Sequence, residues 1–122
     1  MHKVLIVDDE PHLRLLYETE LRGAGFETMT AANAEQGLEY VETMKPDLVV
    51  LDIRMAGMDG VEALQRILDR DSSIPVILNT AYSSYRENFM TWAADAYLTK
   101  SSDVTELVEK VRELLQGDMV QN

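Results

Sequence analysis

Four short apolar runs in this chain each end on side chains that phosphoryl-transfer chemistry could use. Val4–Val7 leads into Asp8-Asp9, Leu48–Leu51 into Asp52, Val76-Ile77-Leu78-Asn79 into Thr80, and Ala96-Tyr97-Leu98-Thr99 into Lys100. In an open parallel sheet the ligand site lies outside the carboxyl ends of the strands. Three carboxylates, a hydroxyl and an ammonium would then meet at one edge. No single run makes the case; their common placement does.

Each piece also has a plainer explanation. Asp8-Asp9-Glu10 stands between a strand and a helix, where acids cap the helix and suit its dipole. Asp52 is harder to explain that way, because it ends an all-apolar run and a buried carboxylate is costly unless paired or bound to a metal. With Asp8 and Asp9 beside it, a cation is expected, and a hard divalent ion such as Mg²⁺ (or Mn²⁺) takes oxygen ligands of this kind. Thr80 could be an ordinary strand-end threonine. Lys100 could be a surface lysine, yet it is one of only four in the chain and closes the last strand at the acidic edge. There it would hold an anionic oxygen as a point charge. Tyr97, Phe89 and Trp92 read as core aromatics, and His2 and His12 as surface residues outside any ligand spacing.

Composition narrows the classes. A chain of 122 residues with 46% apolar residues is the size of one domain with a real core. No window approaches the roughly 20 apolar residues of a membrane span, and the start is too short in apolar residues for a signal peptide. Without cysteine there are no disulfides or thiolate metal sites, which fits a reducing compartment, the cytoplasm. The formal charge of −11 argues against direct contact with nucleic acid or an anionic membrane.

The elements that must position the site alternate along the chain. Strands are expected at Lys3–Val7, Phe26–Thr30, Leu48–Leu51, Val76–Leu78 and Ala96–Thr99. Helical stripes fall between and after them: Leu13, Leu16, Tyr17 and Leu21 behind Pro11; Ala34, Leu38 and Val41; Val61, Leu64, Ile67 and Leu68; Tyr85, Phe89, Trp92 and Ala93; and Val104, Leu107, Val108, Val111, Leu114 and Leu115. Five βα units without a break imply an α/β fold, a doubly wound parallel sheet with helices on both faces. Residues 1–117 make one domain and 118–122 a short polar tail; that tail and the initial methionine favour a free-standing domain over a fragment of a larger regulator.

The ordered set Asp8-Asp9, Asp52-Ile-Arg-Met-Ala-Gly-Met-Asp-Gly60, Thr80-Ala81, Tyr97 and Lys100 closely resembles the receiver (REC) domain of two-component response regulators, over roughly Lys3 to Leu115. The resemblance implies a flavodoxin-like (βα)5 sheet of strand order 2-1-3-4-5. It implies that Asp52 accepts a phosphoryl group from the phosphohistidine of a sensor histidine kinase or phosphotransfer protein. Asp9, Asp52 and the Arg54 carbonyl would ligate Mg²⁺, with Asp8 acting through water. Lys100, the Thr80 hydroxyl and the Ala81 backbone N–H would each meet a phosphoryl oxygen. Thr80 and Tyr97 would form the switch, reshaping an output face made of the fourth helix, fifth strand and fifth helix. Such a domain serves its own phosphorylation and dephosphorylation and is not a turnover enzyme. It would act on a downstream output protein or domain, as a monomer or an activation-dependent dimer.

Several positions depart from the family pattern. Ala56 stands where proline is common. Ser101-Ser102 follows Lys100 where the family has proline, so a trans Lys100–Ser101 bond is expected, the cis form costing about 3 kcal/mol without proline. Arg54 and Tyr82 are bulky at positions that tune hydrolysis, which predicts slow autodephosphorylation. Kinase docking would use Leu13, Arg14 and Leu16 on the first helix together with Ser101, although both leucines could instead face the sheet. Two other classes compete: a receiver-like interaction module that is never phosphorylated, against which Asp52, Thr80 and Lys100 argue, and a haloacid-dehalogenase-type phosphatase, which needs an aspartate where Arg54 stands.

Overall fold

The computed structural model describes residues 2–52, 60–81, 94–100 and 104–116. Its strands are β1 (Lys3–Val7), β2 (Glu27–Ala31), β3 (Leu48–Leu51), β4 (Val76–Thr80) and β5 (Ala96–Thr99). Its helices are α1 (Pro11–Gly23), α2 (Ala34–Thr43), α3 (Gly60–Arg70) and α4 (Thr105–Gln116). The stripe Tyr85–Ala93, expected as a further helix before β5, falls outside the described residues, so α4 here is the last of the expected helices.

All five strands run parallel in the order β2-β1-β3-β4-β5, as expected. Local chemistry sets the boundaries. Pro11 opens α1 at the position where a missing N–H costs nothing. Gly25 takes a φ of +100° just past the end of α1, a conformation that glycine adopts freely. Asn33 caps α2 by accepting the Gln36 N–H at 2.8 Å. Lys45, ahead of Pro46, also has positive φ (48°), which closes the α2–β3 turn. Strand β2 runs one residue later than its apolar pattern suggested, because Phe26 packs into the core from the turn while Ala31 pairs with Val7.

Alternation along the buried strands divides the core into two layers. Leu5, Val7, Val49, Leu51, Val76 and Leu78 pack against α2 and α3. Val4, Ile6, Leu48, Val50, Ile77 and Leu98 pack against Tyr17 and Leu21 of α1 and Leu107 and Val111 of α4. The layering accounts for the unbroken apolar runs: a strand covered on both faces needs apolar side chains on both. Between β1 and β3 the chain reverses its direction of travel across the sheet, which opens a crevice at their carboxyl ends. No helix among the described residues is long and apolar enough to cross a membrane.

Candidate functional site

The backbone fixes the crevice residues before their side chains do anything. Asp8 N–H bonds the Ala31 carbonyl of β2 at 3.1 Å, Asp52 N–H the Val7 carbonyl of β1 at 3.0 Å, and Lys100 N–H the Thr80 carbonyl of β4 at 2.7 Å. Each is the continuation of a strand ladder by one residue, so the side chains leave the sheet at one edge. Acids at the opposite edge do different work. Asp47 accepts the Lys3 N–H at 2.7 Å and Asp95 accepts the Val76 N–H at 2.9 Å, so both serve the backbone.

Lys100 joins the acids. Its Nζ lies 2.8 Å from Asp8 Oδ2, 3.1 Å from Asp52 Oδ2 and 3.6 Å from Glu10 Oε1. Asp8 and Asp52 are nearly inaccessible, at 2% and 4% exposure. Burial by itself would lower the ammonium pKa, but the hydrogen bond to Asp8 and the charges of Asp52 and Asp8 outweigh it and hold the pKa above the ordinary lysine value. The expected repulsion between the buried carboxylates is therefore offset in part within the chain. Asp8 also accepts the Glu10 N–H at 3.0 Å through Oδ1, which holds the turn ahead of α1, while no side chain caps the helix at Glu10.

Thr80 is fully buried at the end of β4. The register pairs Thr80 with Thr99 and Leu78 with Tyr97, so Tyr97 sits diagonally beside Thr80 on the α2–α3 face, half-buried against that layer. Ala81 follows as an exposed bend. Leu13 and Leu16 lean on the α1–α4 layer, and Leu15 between them is the leucine that stands out, 63% exposed. His2 and His12 are exposed as expected, with His12 3.6 Å from Glu10. Arg54, Ala56, Tyr82, Ser101, Ser102 and the tail lie outside the described residues, and so do the expectations about loop shape, hydrolysis and the Lys100–Ser101 bond.

Three contacts were not anticipated. Glu10 joins Asp8 and Asp9 in a cluster whose carboxylate oxygens lie within 4.8 Å of one another, close enough to share one cation. Arg14 turns inward and donates from Nη1 to the Asp8 carbonyl at 2.6 Å, buttressing the acidic turn. Tyr17 of α1 and Asn79 of β4 are both buried and line one small space together with Leu98 and Leu107. The last had a visible signal, a lone amide in the strand Val-Ile-Leu-Asn-Thr; the other two depend on where side chains fold. A hard-oxygen donor set of this kind fits a divalent cation such as Mg²⁺ and suits no soft metal.

A family model described as the response regulator receiver domain matches residues 4–112. Sporulation initiation phosphotransferase F of Bacillus subtilis is 36% identical over 115 residues, 93% of either protein. The DNA-binding response regulator MtrA of Mycolicibacterium smegmatis is 35% identical over 116 residues, and there the chain spans about half (50%) of the relative's length. Among solved structures, response regulator TrrA of Thermotoga maritima in complex with Mg²⁺–BeF superposes with a TM-score of 0.91 at 44% identity, covering 94% of this chain and 100% of that one. TrrA in complex with the histidine kinase ThkA gives 0.88 at 44% identity, over 94% and 99% of the two chains.

Proposed function

The chain belongs to the response regulator receiver family, and from that premise we propose that Asp52 is its phosphoacceptor, charged by a phosphohistidine donor with Mg²⁺ present. The single observation that carries this reading is the shared ammonium: Lys100 reaches Asp8 and Asp52 together at the carboxyl edge of the sheet.

In the transfer, a carboxylate oxygen of Asp52 attacks phosphorus in line, the phosphorus–nitrogen bond of the donor breaks, and the imidazole leaves with its electron pair. Positioning and charge neutralisation do most of the work in such a reaction. Asp52 is held by its backbone bond to Val7, so its carboxylate is presented without much freedom to lose. Lys100 would leave its contact with Asp52 to hold a new phosphoryl oxygen while keeping Asp8. The Thr80 hydroxyl and the Ala81 N–H would take the remaining oxygens. A divalent cation held by Asp9 and Asp52, with Asp8 through water and the Arg54 carbonyl, would supply further neutralisation of the transferred charge. Glu10 lies close enough to join through water.

The output follows from the shared face of β4 and β5. Movement of Thr80 toward the phosphoryl group would vacate space beside Tyr97, which turns inward and reshapes the surface around β5 and α4. On this reading the domain is a phosphorylated switch located in the cytoplasm, and it accepts a group without turning over substrate. Residues 1–117 form the domain and 118–122 its tail. The donor docks along α1 near Leu13, Arg14 and Leu16, with Ser101 as a further candidate contact, and the output partner is a protein or a further domain. The complex of ThkA with TrrA supports a histidine-kinase donor by similarity.

Acetyl phosphate with Mg²⁺ tests the reading. Wild-type protein gains one phosphoryl mass on Asp52, and Asp52→Asn gains none there; labelling that survives the substitution would falsify the assignment.

A further inference from the structure

Asp9 stands between two peptide units that are each pinned by a side chain. On its N-terminal side, the Asp8 carbonyl accepts from Arg14 Nη1 at 2.6 Å. On its C-terminal side, the Glu10 N–H donates to Asp8 Oδ1 at 3.0 Å. A peptide unit is planar, so holding one of its polar groups restrains the whole plane. The two bonds therefore restrain both backbone torsions of Asp9, φ through Arg14 and ψ through Asp8. Arg14 is itself tied to the turn, because its own N–H bonds the Glu10 carbonyl at 3.0 Å. Its side chain is half-buried and its donor is charged, which makes the bond stronger than one between neutral groups. The placement runs against simple electrostatics. A guanidinium this close to the cluster of Asp8, Asp9 and Glu10 repels any cation held there.

We propose that Arg14 is a positioning residue for the divalent cation: by pinning the Asp8–Asp9 peptide it aims the Asp9 carboxylate at the ion. The proposal rests on the functional reading above, in which Asp9 is a ligand, and deepens it. It gives Arg14 a role inside this chain, separate from any contact with a donor. Arg14 touches neither the cation nor the transferred group. What it supplies is coordination geometry, and Mg²⁺ is demanding there, holding to near-octahedral ligands at about 2.0–2.1 Å. The sign of the effect is diagnostic. Acting by charge alone, Arg14 would weaken Mg²⁺ binding and its removal would tighten it. Acting by position, its removal loosens binding even though the repulsion is gone.

Mg²⁺ affinity is measured by calorimetry on wild type, Arg14→Met, Arg14→Lys and Arg22→Met, with melting temperatures taken in a chelator. Arg14→Met is expected to weaken Mg²⁺ binding roughly fivefold, the scale of one hydrogen bond. Arg14→Lys keeps the charge and an N–H donor on a slightly shorter stem, and should fall between Arg14→Met and wild type. Arg22→Met removes the same charge about two turns further along α1, where Arg22 pairs with Glu18. Screening at that distance should keep its Mg²⁺ affinity within about twofold of wild type. Acetyl phosphate, a small donor that needs no docking surface, should report the same order. The Mg²⁺ concentration for half-maximal labelling of Asp52 rises roughly fivefold in Arg14→Met. Equal or tighter Mg²⁺ binding by Arg14→Met overturns the inference, whatever its melting temperature, and so does Arg14→Lys binding more weakly than Arg14→Met. Wild-type protein that binds Mg²⁺ but takes no label on Asp52 removes the phosphoacceptor reading, and calorimetry alone then judges Arg14. Wild-type protein that binds no Mg²⁺ ends both.

Discussion

At Lys100 one ammonium serves Asp8, Asp52 and Glu10, with only 10% of its side chain exposed. Removing one partner of a buried ion pair leaves an uncompensated charge, so Lys100→Met should cost roughly 3 kcal/mol of stability. Because a divalent cation can replace the lost charge, Mg²⁺ should restore more stability to that variant than to wild type, read from urea midpoints with and without the ion. Alkaline pH tests the same groups. The raised pKa of Lys100 keeps its pairing intact below the ordinary lysine value near 10.4, and the contribution is lost only as pH rises through the folded value. Burial also raises Tyr17, with lowering by the Asn79 hydrogen bond and Lys100 set against it. The folded protein keeps that phenolic proton where the unfolded chain begins to lose it, so stability again falls with rising pH. For these two groups the urea midpoint should be flat from neutral to about pH 10 and then drop. Tyr17→Phe should make the drop shallower.

Among the elements, α2 shows packing overriding propensity. An alanine in a helix interior ordinarily gains about 1 kcal/mol over glycine. A Cβ at Gly37 would instead stand 2.8 Å from Val7 Cγ2, in the strand that leads to Asp8. Overpacking of that kind costs roughly 1–3 kcal/mol. Gly37→Ala should therefore destabilise the protein, and a higher urea midpoint for the variant would show that β1 yields. At the start of the same helix, Asn33→Ala removes the bond from Gln36 N–H and should cost about 1 kcal/mol by thermal melting. Capping and close approach together fix α2 on β1, and through β1 the first acidic residue of the crevice.

For the whole molecule, the formal charge of −11 and the acidic crevice both favour cation binding. A ligand that binds only the folded state at a hundredfold excess over its Kd adds about 2.7 kcal/mol. Saturating Mg²⁺ should raise the melting temperature accordingly, and Asp9→Asn should reduce the rise. Chelation, by contrast, should leave the circular dichroism spectrum unchanged, because Lys100 already offsets one of the two buried carboxylate charges. Unfolding in a chelator would contradict that account of the charges.

The apolar runs, the stripes between them and the residue that ends each run were enough to read the parallel sheet and the meeting of Asp8, Asp52, Thr80 and Lys100 at one edge. Period and strand polarity are local properties, and a parallel sheet converts them directly into a shared edge. Pair identity is not local. That Lys100 bridges Asp8 and Asp52, that Arg14 turns back to the Asp8 carbonyl, that Leu15 rather than Leu13 or Leu16 stands exposed, and that Tyr17 of α1 and Asn79 of β4 line one space all depend on rotamers and on the distance between layers. The sequence by itself determined which chemical groups arrive at the crevice. Only the tertiary structure decided which of them hold each other there, because a hydrogen bond or ion pair between residues distant in the chain exists only once packing has set their separation.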